Sequence, residues 1–140
     1  MGHAGGTLNR MSEIEEFYPR LVVDGADAAL SFYTKVFDAE VTERFDDGAG
    51  RVHHAMVVAG PARFAVKDAG DGDPAPSEGG VPVIMALYVA DPDALAQRMI
   101  DGGARVIYPV VDHDYGDRAG RLADPWGHLW MVAKQLAEHS

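Results

Sequence analysis

Residues 83–103 read VIMALYVADPDALAQRMIDGG, and the punctuation of this stretch decides the fold. Val83 to Val89 is an apolar, β-branched run of strand length. Asp91-Pro92 follows as an N-cap and a proline at the first helical position, where its missing N–H costs nothing. Leu95 and Met99 anchor a helix face, and Gly102-Gly103 end it. Working outward, Ala104 to Val111, Arg118 to Ala123 and His128 to Lys134 read as strands, the last two joined by a turn at Asp124-Pro125-Trp126-Gly127. The order is strand, helix, three strands.

Residues 17–37, FYPRLVVDGADAALSFYTKVF, open the same order again. Phe17 to Val23 is a strand interrupted by Pro19 and Arg20, which places it at an edge or seam. Asp24 is the expected N-cap, and Ala26, Ala29, Leu30, Tyr33 and Phe37 recur at helical spacing. Strands follow at 40–45, 51–59 and 62–68, with turns at Asp46-Asp47-Gly48 and Gly60-Pro61. The repeat is visible residue by residue: Val22-Val23-Asp24 before Val89-Ala90-Asp91, Gly60 before Gly127 and Lys67 before Lys134, each at an offset of 67. One period of half the chain is a duplication, since a solenoid needs three or more units.

The predicted organisation is a loose segment at 1–12, a first βαβββ module at 13–68, a Gly/Asp/Pro/Ser linker at 69–81, a second module at 82–135 and a tail at 136–140. The fold class is α+β: duplicated modules forming a curved mixed sheet around a pocket. A sheet of four strands has one face it cannot bury alone, so two copies side by side, helices outside, would enclose a concave space.

Composition limits the partners. The 140 residues include 12 Lys and Arg against 22 Asp and Glu, for a net charge of −10. Such a surface repels phosphate backbones and anionic headgroups, so neither nucleic acid nor membrane is an expected partner. It would draw in a cation. Cysteine is absent, which excludes disulfides, thiol nucleophiles and thiolate metal sites. No apolar run has the length to span a bilayer and no signal-peptide core is present, so a cytoplasmic protein is expected.

Several stretches in this order resemble the vicinal oxygen chelate superfamily, the group of glyoxalases, extradiol dioxygenases, fosfomycin-resistance enzymes and bleomycin-resistance proteins. They are Leu21-Val22-Val23-Asp24 with Phe32-Tyr33-Thr34-Lys35-Val36-Phe37, Leu87-Tyr88-Val89-Ala90-Asp91, Asp101-Gly102-Gly103-Ala104, and Tyr115-Gly116-Asp117-Arg118-Ala119-Gly120 leading to Asp124-Pro125-Trp126-Gly127-His128-Leu129-Trp130. The last is most similar to the glyoxalase-like branch labelled demethylubiquinone-methyltransferase-like. The resemblance covers roughly residues 14–135 and implies a homodimer with pockets at or near its interface.

It also implies where a divalent ion would be held: His, Gln or Glu on the first and last strands of each module. At an offset of 67 those positions are Phe17, Phe64, Ile84 and Met131. Phenylalanine and isoleucine offer no lone pair, and a thioether is a soft donor unsuited to Mg, Mn, Fe(II) or Zn in such a site. No metal and no cofactor is therefore expected. Without a Lewis acid the metal-dependent chemistries of the family lose their main catalytic contribution. The expected function is then a binding protein of the glyoxalase and bleomycin-resistance type, with a role in drug or antibiotic resistance among those open to it. Its small-molecule ligand would be partly aromatic and, if steered by the acidic surface, cationic. The alternative is a lyase, isomerase or dioxygenase with a relocated site, which needs His54, His113, Asp68 or His128 to converge.

Other candidates follow from parity and position. Tyr88 shares parity with Ile84 and should face the cavity. His53 and His54 are strand neighbours, so one at most faces it. Tyr115 and Arg118 lie in a polar cluster, with Arg118 meeting either a ligand anion or a neighbouring Asp. Trp126 is a stacking candidate in its turn, whereas Trp130 has the parity of a core residue. The candidate ligand-binding set is Phe17, Phe64, Ile84, Tyr88, Met131, His54, Tyr115, Arg118 and Trp126, and no catalytic residue is assigned.

Overall fold

The computed structural model describes residues 13–136; the segment at 1–12 and most of the expected tail lie outside that range. The first module comprises β1 (Arg20–Val23), α1 (Ala26–Phe37), β2 (Glu40–Asp46), β3 (Val52–Ala59) and β4 (Ala62–Asp68). The second comprises β5 (Ile84–Tyr88), α2 (Pro92–Asp101), β6 (Arg105–Asp112), β7 (Asp117–Ala123) and β8 (Leu129–Gln135). Each module forms one mixed four-stranded sheet, ordered β1-β4-β3-β2 and β5-β8-β7-β6. First and last strands pair in parallel, and the remaining pairs are antiparallel. The fold is α+β, with duplicated modules forming a curved sheet.

The modules share one core, built on the helix side of both sheets. Tyr33 of α1 is fully buried at its centre, with the rings of Phe64 at 5.2 Å, Trp130 at 5.5 Å and Trp126 at 5.9 Å. Its hydroxyl donates to Asp124 Oδ2 at 2.5 Å, and Trp130 Nε1–H donates to the same oxygen at 2.8 Å. Asp124 Oδ1 accepts the backbone N–H groups of Trp126 and His128. A buried carboxylate without a cation is tolerated because every face of it meets a donor. Burial, reinforced by the Asp124 charge, pushes the Tyr33 phenol well above its usual range. The β7–β8 turn thus inserts into the core of the first module.

Two local expectations are corrected. Asp24 does not cap α1: the cap position is Gly25, at φ 109°, and the helix's first N–H groups are satisfied from a distant strand. Asp68 Oδ1 accepts from Gly25 N and Ala26 N, and its Oδ2 accepts from Val52 N. The same carboxylate fixes the start of α1, the start of β3 and the end of β4. In α2 the expected cap is present, with Asp91 Oδ1 accepting from Ala94 N at 3.1 Å.

The repeat offset is the second. Leu21, Val23, Phe64 and Val66 face α1, as Leu87, Trp130 and Val132 face the core of the second module. Matching faces gives 66, not 67: Leu21 to Leu87, Phe64 to Trp130, Val66 to Val132, and the helix starts Ala26 to Pro92. Two local differences misled the count: α1 starts two residues after Asp24 whereas α2 starts one after Asp91, and the turns before the last strands differ in length. Ala59 and Ala62 pair across a tight β3–β4 turn, whereas Ala123 and Leu129 pair across the longer loop that carries Asp124. Counting from the turn glycines therefore lands on opposite faces, and a one-residue slip inverts every side chain.

The linker is also more structured than its composition predicts. Lys67 is buried, and its Nζ donates to Asp73 Oδ2 at 2.7 Å and to Gly70 O at 3.3 Å. A short 3-10 turn at Pro76–Glu78 follows, and a side chain at Gly80 would strike Pro74 O.

Candidate functional site

The sheet faces turned away from the helices are the candidate site. In the second sheet, Ile84, Ala86 and Tyr88 of β5 share that open face with Leu129, Met131 and Ala133 of β8, which pair with them directly. Arg121 pairs with Met131 on one side and Tyr108 on the other. Ala119, Ala123 and Ala133 are buried yet lie outside the helix-side core. They form a low floor, above which Ile84 and Tyr88 stand 54% and 61% exposed.

Polar groups punctuate this face. The Tyr88 hydroxyl donates to Asp117 Oδ2 at 2.6 Å, a bond that raises the phenol's pKa. The Arg121 guanidinium lies over the Tyr108 ring, 5.5 Å from its centroid. Arg121 Nε is buried without a hydrogen-bond partner among the described residues. It is an unpaired donor within the sheet, an unusual cost for a buried polar atom.

The open face of the first sheet differs in chemistry. Ala65 and Lys67 of β4 share it with Met56 and His54 of β3 and Arg20 and Val22 of β1. His54 Nε2 is 3.4 Å from Glu43 Oε1, and its ring stacks on Phe45 at 6.1 Å. Tyr18, just before β1, lies 6.5 Å from that ring and carries the Arg63 guanidinium above it.

The expected site residues divide accordingly. Ile84, Tyr88, Met131 and His54 are on open faces. Phe64 is not: it is buried in the aromatic core beside Tyr33 and Trp130, the consequence of the one-residue offset. Phe17 lies outside β1, before the Pro19 carbonyl that accepts from Ala65 N, and is 85% exposed, so it lines neither sheet face. Arg118 shares the helix-side face with Leu122 and is committed to acids: Nε and Nη2 donate to Asp93, both at 2.8 Å, and Nη1 to Asp112 at 3.0 Å. Trp126 packs its edge on Phe32 at 5.5 Å, also on the helix side. Tyr115 stacks on His113 at 5.0 Å in the β6–β7 loop.

The groups an alternative reactive centre would need do not meet. Asp68 caps α1, His113 Nε2 bonds Ala119 O, His54 lies on the first sheet, and His128 is buried between the modules. Among the described residues no three His, Asp or Glu side chains are placed to hold a metal ion. At the corrected offset, the counterparts of Ile84 and Met131 are Tyr18 and Ala65. The four positions that the resemblance implies for metal ligands, so corrected, hold Tyr, Ala, Ile and Met, a set that does not fit a divalent ion. Sequence reading missed Arg121, Tyr108 and Asp117; β7 parity counted back from the Arg121–Met131 pairing finds Arg121 and Asp117, and Tyr108 of β6 follows only from its pairing with Arg121.

Paired βαβββ modules with one open sheet face each and a shared helix-side core define a duplicated α+β fold. The model of the Glyoxalase/Bleomycin resistance protein/Dioxygenase superfamily matches residues 8–132, and the chain belongs to this superfamily, the vicinal oxygen chelate group. An uncharacterised protein of Mycobacterium bovis, Mb0911c, is 36% identical over 126 residues, covering 86% of this chain and 83% of its own length. Among solved structures, TioX from Micromonospora sp. ML1 superposes with a TM-score of 0.66 at 23% identity, covering 88% of this chain and 98% of that one. The glyoxalase family protein APC24694 from Bacillus cereus does so with 0.69 at 19% identity, covering 91% and 98%. These structural likenesses concern the fold. No helix among the described residues is long and apolar enough to cross a membrane.

Proposed function

We propose that this chain binds a small, partly aromatic molecule on the open face of its second sheet, without a metal ion, in a cup that a second copy of the chain helps to close. The observation that carries the reading is the alanine floor walled by Ile84, Tyr88, Met131 and Arg121. Apolar walls with a few convergent polar groups are the usual make-up of ligand sites. Flat aromatic surface would lie against the exposed Ile84 and Tyr88 side chains. A ligand cation would meet Asp117 beside Tyr88. The acidic surface of the whole chain favours a ligand with a positive group. Two apolar side chains standing more than half exposed on a sheet face support burial against a partner surface.

The test is a thermal-shift screen of aromatic amines against wild-type protein and Met131→Arg, with metal analysis of tag-free protein. A binder raises the melting temperature with concentration, by an amount equivalent to about 2.7 kcal/mol at a hundred times Kd, and the rise disappears in the variant. A divalent ion at one equivalent, or a rise unaffected by Met131→Arg, overturns the reading.

A further inference from the structure

A second cleft lies on the opposite side of the molecule, between α1, α2 and the β7–β8 turn, with a volume of about 620 Å³. That is within the size range of small-molecule sites, roughly 300–1,000 Å³. None of its lining belongs to an open sheet face.

Its shape follows from a close contact. A Cβ at Gly102 would come within 2.9 Å of Phe32, so the glycine lets the end of α2 approach α1. Phe32 and the half-buried Trp126 meet edge to face and form the base, with Pro125 beside them. An aromatic base of this kind suits a flat apolar ligand.

The charges at the mouth set its polarity. Arg98 Nε donates to Val36 O at 3.2 Å, which holds the guanidinium at the rim with its Nη groups making no hydrogen bond among the described residues. The ammonium of Lys35, next to Val36 on α1, makes no hydrogen bond or ion pair among the described residues. The one acid in the lining, Asp101, accepts from Gln97 Nε2 at 2.9 Å. The lining is thus net positive in a chain of net charge −10. Over the ~8 Å range that charge acts at physiological salt, an anion in the cleft feels this local pair more than the distant acids.

We propose that the cleft between α1 and α2 is a separate binding site for a small aromatic carboxylate, with the ring on Phe32 and Trp126 and the acid group between Lys35 and Arg98. The site is independent of the sheet-face reading above. It adds a second specificity, for anions.

The test is an amide and indole NMR titration with 2-naphthoate, using its neutral counterpart 2-naphthalenemethanol as the control. Shifts are expected at Ser31, Lys35, Gly102 and the Trp126 indole. Lys35→Glu should weaken binding about tenfold, as expected for reversing one charge near the ligand. Ser31→Trp, at an exposed helix position, should abolish binding by filling the mouth. Binding of the alcohol as tight as that of the acid overturns the proposal, as does indifference to both substitutions. Shifts confined to Ile84, Tyr88 and Met131 overturn it too, while leaving the sheet-face reading intact.

Discussion

His128, in the second module, donates from Nε2 to the backbone carbonyl of Val22 in the first at 2.8 Å. Its other nitrogen, Nδ1, accepts from Val83 N at 3.1 Å. A carbonyl can only accept and an N–H can only donate, so the imidazole is neutral with its proton on Nε2. One ring joins β1 to the start of β5. His128→Ala leaves both buried backbone partners unpaired and is expected to lower stability by about 3 kcal/mol. Denaturant unfolding measures this, and a loss near zero would show that the contact carries no weight.

The Tyr33–Asp124 bond predicts an alkaline limb in stability. A phenol whose folded-state pKa is raised contributes stability that is complete below its unfolded value, about 10, and that is lost as pH rises toward the folded value. Melting temperature should fall from about pH 10 upward, more steeply in wild type than in Tyr33→Phe. Parallel profiles for the two proteins would refute the assignment. At neutral pH the variant should lose roughly 1–2 kcal/mol, because Asp124 keeps its other donors.

Asp68 should behave as a fastening point for three backbone segments. Asp68→Ala is expected to cost about 2 kcal/mol and to speed hydrogen exchange at Ala26 and Val52. Unchanged exchange at both amides would show that the Asp68 carboxylate fastens neither segment.

Arg118 separates fold from ligand. Its acid partners are half-exposed, at 54% and 64% of side-chain surface, so Arg118→Gln should lower stability by no more than about 1 kcal/mol. It faces α2, so affinity for a ligand on the open face of the second sheet should be unchanged. A large affinity loss, read by calorimetry, would move the site to the helix side.

Much of this was legible because alternation and capping are local. The stretch at 83–103 contains its strand, its cap residue and its stop, and parity along β5 separates Tyr88 from Leu87 without reference to any other strand. The orientation of Phe64 was not legible. It was inferred from its spacing to Met131, and that comparison fails because the β7–β8 turn is longer than the β3–β4 turn, its length needed for Asp124 to reach Tyr33 and Trp130, a tertiary requirement invisible in composition. The cap of α1 was misplaced for a related reason: its acceptor is 42 residues away from Ala26, beyond any local pattern. Arg121 was overlooked because its role comes from its neighbours across the sheet.

The placement of the two tryptophans has an optical consequence. Trp130 is sealed at the junction of the modules with its indole proton on Asp124, while Trp126 lines the outer cleft. Emission from one therefore reports whether the halves stay together, and quenching of the other whether anything has entered from outside. With either ring replaced by phenylalanine, the remaining fluorophore turns the protein into its own single-channel gauge, with no added label.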